Sequence, residues 1–236
     1  MSQLKNLKRL DILKHIMMFI LNKNGITNEE LIDDWNPETK HCNWDADYSI
    51  SWEKELEGDL VRLYKWIDLL DTGVRNNDKE AIGGALAITG SVCIDIGGFF
   101  DGFRDSLEKI LALNYQGGEF NYVIEKPNTE ISQLANLDKL DLLRNLMIYF
   151  INKHNFQISE LDIAHCKISY SHNWEKYIRE SLTELDNHII RLESFIQQDN
   201  REEIGKELMM IKSYSVDLST LFYSLDKDLV EILVAE

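Results

Sequence analysis

Proline is almost missing from this chain, with two residues in 236. Sandwiches and loop-rich folds use more, so the scarcity favours long uninterrupted helices. Cysteine is nearly as rare. Three residues, an odd number without framework spacing, exclude a disulfide-stapled scaffold and point to a reducing compartment. Positive charge is also short: 25 Lys and Arg face 41 Asp and Glu, a net charge of −16. The deficit is spread along the chain, with 13 basic and 22 acidic residues up to position 125 and 12 and 19 after it. A nucleic-acid binder carries a basic stripe, so direct nucleic-acid binding is disfavoured. An anionic membrane would repel this protein, whereas a basic protein partner would be attracted. No secretory leader is legible, because Lys8, Arg9, Asp11, Lys14 and His15 interrupt the first apolar run; the expected location is the cytoplasm. Catalytic signatures are missing as well: there is no Walker-type glycine loop and no nucleophile elbow.

What the chain does have is a repeat. Tyr48-Ser49-Ile50-Ser51-Trp52-Glu53-Lys54 returns as Tyr170-Ser171-His172-Asn173-Trp174-Glu175-Lys176. At the same shift of 122, Leu56, Leu60, Leu63, Ile67 and Leu70 map onto Ile178, Leu182, Leu185, Ile189 and Leu192. Steps of three and four are those of a buried helix stripe. Upstream, Leu10, Leu13, Ile16, Met17, Ile20 and Leu21 match Leu140, Leu143, Leu146, Met147, Phe150 and Ile151 at a shift of 130, and Asp11 matches Asp141. Asn24-Gly25 is a helix stop. Thr27 and Glu30 have capping-box spacing, opening a short helix through about 31–34. The spacing predicts further helices from Trp52 to about Val74, from Asn77-Asp78 to about Leu111, near 159–163, from Trp174, and from about Glu202 to Leu233.

The expected fold is therefore all-α: about eight helices in two duplicated units packed with approximate two-fold pseudo-symmetry. The units are residues 1–114 and 135–236, joined by a linker over 115–134 in which 121–124 could pair as a short strand. Residues 81–100 are nearly apolar, but their counterpart around Glu203–Lys212 is charged, which argues for a soluble core helix rather than a membrane span. Half of the chain's twelve glycines lie in the helix expected from Asn77-Asp78, at 83, 84, 90, 97, 98 and 102. Each costs roughly 1 kcal/mol in a helix interior, so either a close helix neighbour or a kink is expected.

The shift falls from 130 to 122 within the first copy's loop, which thus holds eight extra residues. That loop contains Asp33, Asp34, Trp35, Trp44, Asp45 and Asp47. Tryptophans flanked by carboxylates suit an interface for a basic partner, and these six are the candidate partner-binding residues. The bland alternative is that the indoles tuck onto the bundle and the acids are merely solvated.

Other patterns admit chemistry. His41-Cys42 and His165-Cys166 precede the shared tryptophan and offer zinc-type ligands, without the spacing of common zinc motifs. Glu38 three residues before His41 matches one step of di-metal bundles, but sits in a loop. Asp95 and Asp217 align inside apolar stretches, with Ser91 and Ser213 four residues earlier. They read as an acid/base pair or, more commonly, as structural hydrogen bonds or exposed positions. The run Glu29-Glu30-Leu31-Ile32-Asp33-Asp34 resembles the acidic magnesium motif of all-α nucleotide pyrophosphohydrolases, but the second acidic pair those enzymes need on a neighbouring helix is not evident at a convincing spacing. No cofactor and no catalytic residue is assigned; a metal-dependent helical enzyme and a helical scaffold remain the alternatives.

In overall character, an acidic all-α chain with a duplicated core, no catalytic signature and an aromatic–acidic loop, the sequence resembles the helical immunity proteins of bacterial contact-dependent inhibition and related polymorphic toxin systems. The resemblance implies a non-enzyme that binds the basic toxic domain of an effector, often a nuclease, and masks its active surface.

Overall fold

The computed structural model describes residues 9–32, 35–36, 41–42, 44–113 and 137–236. The chain is all-α. Among the described residues there are seven α-helices: α1 (Leu10–Lys23), α2 (Asn28–Ile32), α3 (Trp52–Asn76), α4 (Lys79–Ala112), α5 (Asp138–His154), α6 (Trp174–Gln197) and α7 (Arg201–Ala235). The segment expected as a short helix near 159–163 is instead two 3-10 turns, Ile158–Glu160 and Asp162–His165. Within the stretch expected as a featureless loop, Trp35–Asn36 and His41–Cys42 form a two-residue antiparallel bridge. The expected strand at 121–124 lies outside the described residues.

The helix boundaries follow from local chemistry. The loop after α1 passes through Gly25 at φ +85°, and α5 ends at Asn155 at φ 56°, the left-handed turn that a glycine or asparagine tolerates. The Thr27–Glu30 capping box forms, with Thr27 N donating to the Glu30 carboxylate (2.7 Å) and Glu30 N donating to Thr27 Oγ1 (3.3 Å). Asp78 caps α4 by accepting from Ala81 N at 3.1 Å. The interior of each helix then follows its stripe. All twelve repeated positions from Trp52 to Leu70 and from Trp174 to Leu192 are buried, each stabilising the fold by roughly 1.5–3 kcal/mol.

The chain divides into two compact units. One comprises Met1–Glu55, Phe99–Ser132 and Leu182–Val216; the other Leu56–Gly98, Gln133–Ser181 and Asp217–Glu236. Helices α3, α4, α6 and α7 each contribute residues to both, so these packing units cut across the two sequence copies.

Within each unit, the N-terminal helix grips the start of a tryptophan helix in the same way. In the first, the Asp11 carboxylate accepts from Trp52 N (2.8 Å) and Ser51 Oγ (2.7 Å), Lys14 donates to Ile50 O (2.6 Å), and Trp52 Nε1 donates to Asp47 O (2.7 Å). In the second, the Asp141 carboxylate accepts from Trp174 N (2.9 Å) and Asn173, Arg144 donates to His172 O (2.7 Å), and Trp174 Nε1 donates to Ser169 O (3.1 Å). The tyrosine four residues before each tryptophan lies 5.4 Å from it, centroid to centroid, in both.

α4 is continuous over 34 residues, so its glycines do not split it. Three of them admit close neighbours: a Cβ on Gly90 would stand 2.7 Å from Asp226 Oδ1, one on Gly97 3.1 Å from the Tyr223 ring, and one on Gly102 2.7 Å from the Asp45 carbonyl oxygen. Among the described residues α4 is also the one helix long and apolar enough to cross a membrane, and half of its most apolar window is buried within the protein.

Candidate functional site

The candidate loop in the first unit is anchored from below. Because Gly102 lacks a Cβ, the Asp45–Ala46 backbone lies directly against α4. Ala46 and Tyr48 are buried, Trp44 is half-buried, and Asp45 and Asp47 are exposed. The Trp44 ring meets Tyr48 edge-on at 6.3 Å and lies under Lys109 Nζ at 5.2 Å, a cation–π contact. Asp45 pairs with the same ammonium at 2.8 Å. The Asp47 carboxylate accepts from Ser49 N and Oγ, at 2.8 and 2.6 Å, and so closes the turn into α3. The structure thus brings Trp44 and Asp45 together on one cation and gives Asp47 a local structural bond. Asp33 and Asp34 lie outside the described residues, and for Trp35 only the backbone bridge is described.

The tyrosines mark a difference between the units that the repeat did not disclose. Tyr170 Oη donates to Asp228 at 2.5 Å, and the same buried carboxylate accepts from the backbone N–H of Asp162 (2.7 Å) and Ile163 (3.3 Å). Burial raises the Asp228 pKa, and these three donors oppose the rise. At the register of Asp228, 122 earlier, stands Ser106. Tyr48 Oη and Ser106 Oγ are both buried and lie near enough to influence one another, but neither meets hydrogen-bond geometry with a partner among the described residues. The first unit therefore keeps two unsatisfied polar atoms where the second holds a filled network.

Beside Asp228 the second unit has an open cavity of about 330 Å³. Its lining includes five carboxylates, Glu160, Asp162, Asp226, Asp228 and Glu231, and one cation, Lys227. Lys227 pairs with Asp162 at 2.8 Å, and Glu160 closes a capping box onto Gln157 N at 3.3 Å. Asp226 and Glu231 make no ion pair among the described residues. Burial raises the Asp226 pKa and the neighbouring Lys227 opposes the rise. Sequence reading missed this cavity because its two walls come from segments more than sixty residues apart.

The other candidates resolve into local bonding. The His165 ring meets Leu161 O at 3.0 Å, and Cys166 Sγ meets Ser224 Oγ at 3.1 Å. For His41 and Cys42 only the backbone is described, and Glu38 lies outside the described residues. No group of three or more His, Cys, Asp or Glu side chains that could hold a metal occurs among the described residues. Asp95 takes its partner from Arg62 (3.1 Å), not from Ser91, and Asp217 from Lys167 (2.6 Å), not from Ser213. In the first unit His188 and Glu207, both buried, meet at 2.6 Å with Arg191 on the same carboxylate at 3.1 Å. At 122 earlier the registers of His188, Arg191 and Glu207 hold Trp66, Leu69 and Ala85, so this ionic cluster belongs to one copy alone.

No protein-family model, no curated protein and no solved structure matches this chain.

Proposed function

We propose that the chain is two copies of one helical module, packed with approximate two-fold pseudo-symmetry, and that it binds and neutralises a basic protein, the toxic domain of a bacterial effector, as its immunity protein. The doubling is supported by bonds that coincidence would not repeat. An aspartate at the same register caps the tryptophan, a cation at the same register (Lys14 or Arg144) takes the carbonyl two residues before it, and the indole donates five residues back. Against that shared frame, what only one copy carries is where a specific function would reside.

The observation that carries the binding reading is the Trp44–Asp45 edge. A half-exposed indole and exposed carboxylates sit on a backbone clamped to α4 at Gly102, so little ordering entropy is lost on binding. Around it, 41 acidic residues against 25 basic ones favour fast encounter with a basic surface. The test is growth rescue. Cells producing the toxic domain of an effector encoded beside this chain should grow when the protein is supplied, and the two should co-purify at one to one. Trp44→Ala with Trp35→Ala should weaken capture at least about tenfold, as loss of an aromatic anchor does. Failure of rescue, with no complex formed, would overturn the assignment.

A further inference from the structure

The Trp44–Asp45 edge of the first unit already holds a cation, and the cation is the protein's own. Lys109 Nζ lies 5.2 Å from the centroid of the Trp44 ring and 2.8 Å from an Asp45 oxygen. An indole face and a carboxylate that converge on one charged group form the kind of seat in which a basic side chain is recognised. The seat is stiff. Gly102 lets the Asp45–Ala46 backbone rest on α4, Tyr48 meets the indole edge-on at 6.3 Å, and Asp47 ties the following turn through Ser49. Its occupant is held loosely. The Lys109 and Asp45 side chains are 42% and 47% exposed, and an ion pair so open to water is weak.

The second unit carries the same register wired the other way. At 122 later, Trp44 and Asp45 become Cys166 and Lys167. Cys166 Sγ meets Ser224 Oγ at 3.1 Å, and Lys167 donates to Asp217 at 2.6 Å. There the loop supplies the cation and the helix supplies the carboxylate, with a thiol standing where the first copy has its indole. Lys109 also lacks a basic counterpart, since its register holds Glu231. A cation seat built from an indole and a carboxylate thus belongs to the first copy alone, and so does the lysine that fills it.

We propose that Lys109 is a built-in stand-in for an arginine of the partner: it masks the Trp44–Asp45 seat in the free protein, and the partner's guanidinium displaces it on binding. The inference rests on the basic-partner reading of this edge, and it names the group recognised and the internal contact that must open. Arginine outcompetes the resident lysine because its planar fork can take both carboxylate oxygens, its flat face stacks on the indole, and it sheds water more readily than an ammonium. The displaced ammonium loses little, because it returns to solvent one helical turn from Asp105. The mask also makes the seat selective. Any ligand must overcome the population in which Lys109 is seated, so a lysine, which binds no better than the resident one, is rejected in favour of arginine.

The test is an amide and indole N–H shift titration of the full chain with acetyl-arginine-amide at constant ionic strength. The neutral isostere acetyl-citrulline-amide is the control. The arginine probe should shift the Trp44 indole and the amides of 44–47 and 105–109, and citrulline should not. Lys109→Gln should tighten the arginine probe about five- to tenfold, the effect of removing a competitor held by one exposed ion pair and one cation–π contact. In that background Trp44→Ala and Asp45→Asn should each weaken it about fivefold or more. Lys109→Arg, which keeps a cation in the seat, should bind the probe no better than the parent protein, and this separates unmasking from a general loosening of the loop. Unchanged or weaker binding to Lys109→Gln, equal response to citrulline, or shifts that spare Trp44 would overturn the proposal. The probe contains no toxin. Its failure removes the masked seat and leaves growth rescue to judge the immunity role, while binding at Trp44 without rescue keeps the seat and removes the toxin.

Discussion

Tyr48 and Tyr170 hold one register and meet different company. Tyr170 donates to a buried carboxylate, whereas Tyr48 faces Ser106 with its hydroxyl unsatisfied. A hydrogen bond to a charged group contributes about 1.5–3 kcal/mol, while removing an unpaired buried hydroxyl costs almost nothing. Tyr170→Phe should therefore destabilise by about 1.5–3 kcal/mol and Tyr48→Phe by under about 0.5 kcal/mol, read from urea unfolding of each variant. Equal costs would mean that Tyr48 has a partner in solution. Asp186 gives a pH prediction at the same scale. Burial pushes its carboxyl up to about 6, and Arg9, 3.3 Å away, only partly pulls it back. Its unfolded value is about 3.9. Between about pH 4 and 6 the folded chain therefore binds more protons at this site than the unfolded chain, so the site's contribution falls as pH rises and is unfavourable above about 6. Asp186→Asn should stabilise the protein at pH 7 by about 1–2 kcal/mol, a figure reduced for the group's partial solvent contact, and the gain should vanish below pH 4. Unfolding curves across pH 3–8 check it. The residues that form these sites were individually visible in the sequence, but their pairing was not. Tyr170 and Asp228 are 58 positions apart, and local periodicity carries no information about such long-range pairs.

At the scale of elements, sequence and structure agree wherever the cause is local. The capping box at Thr27, the stop at Gly25 and the stripe of α3 all stand where spacing put them, because each depends on neighbours within a few residues. The 158–165 segment differs because part of its backbone bonding is tertiary: Asp162 and Ile163 donate to Asp228 rather than into a helix. The glycines of α4 were visible as an anomaly, but whether they served a kink or a close approach depended on neighbours far away in sequence. Gly102 is the sharpest case. A methyl group there would press on a backbone carbonyl, which cannot rotate aside. Gly102→Ala should cost about 1–3 kcal/mol and free the Trp44 loop, seen as a red shift and faster quenching of tryptophan emission. The shared clamp makes a companion prediction. Asp11→Ala and Asp141→Ala each strip the buried start of a tryptophan helix of its carboxylate acceptor, and each should cost about 1–3 kcal/mol. Similar losses measured in both are expected of equivalent caps.

For the whole molecule, 41 acidic against 25 basic residues means that compaction concentrates like charge. Screening relieves this repulsion within a Debye length of about 10 Å at 0.1 M salt. Thermal unfolding should accordingly move up by about 2–4 °C between low and about 0.5 M sodium chloride, a shift worth roughly 1 kcal/mol for a chain of this size. A flat salt response in calorimetry would mean that the surface ion pairs lose as much as the net charge gains. The all-α class was legible from composition and period, since both report averages over the entire chain. The division into packing units was not, because it depends on which distant segments meet.

That division bears on how the protein is made. The first unit needs residues up to Val216 and the second needs those beyond it, so a ribosome that has released only α1 to α4 holds parts of both units and the whole of neither. Neither core can close during most of translation, and the apolar face of α4 must wait for α7. Nascent chains halted in the 114–136 interval should stay protease-sensitive and chaperone-bound, and two separately synthesised fragments broken there should regain structure only when mixed.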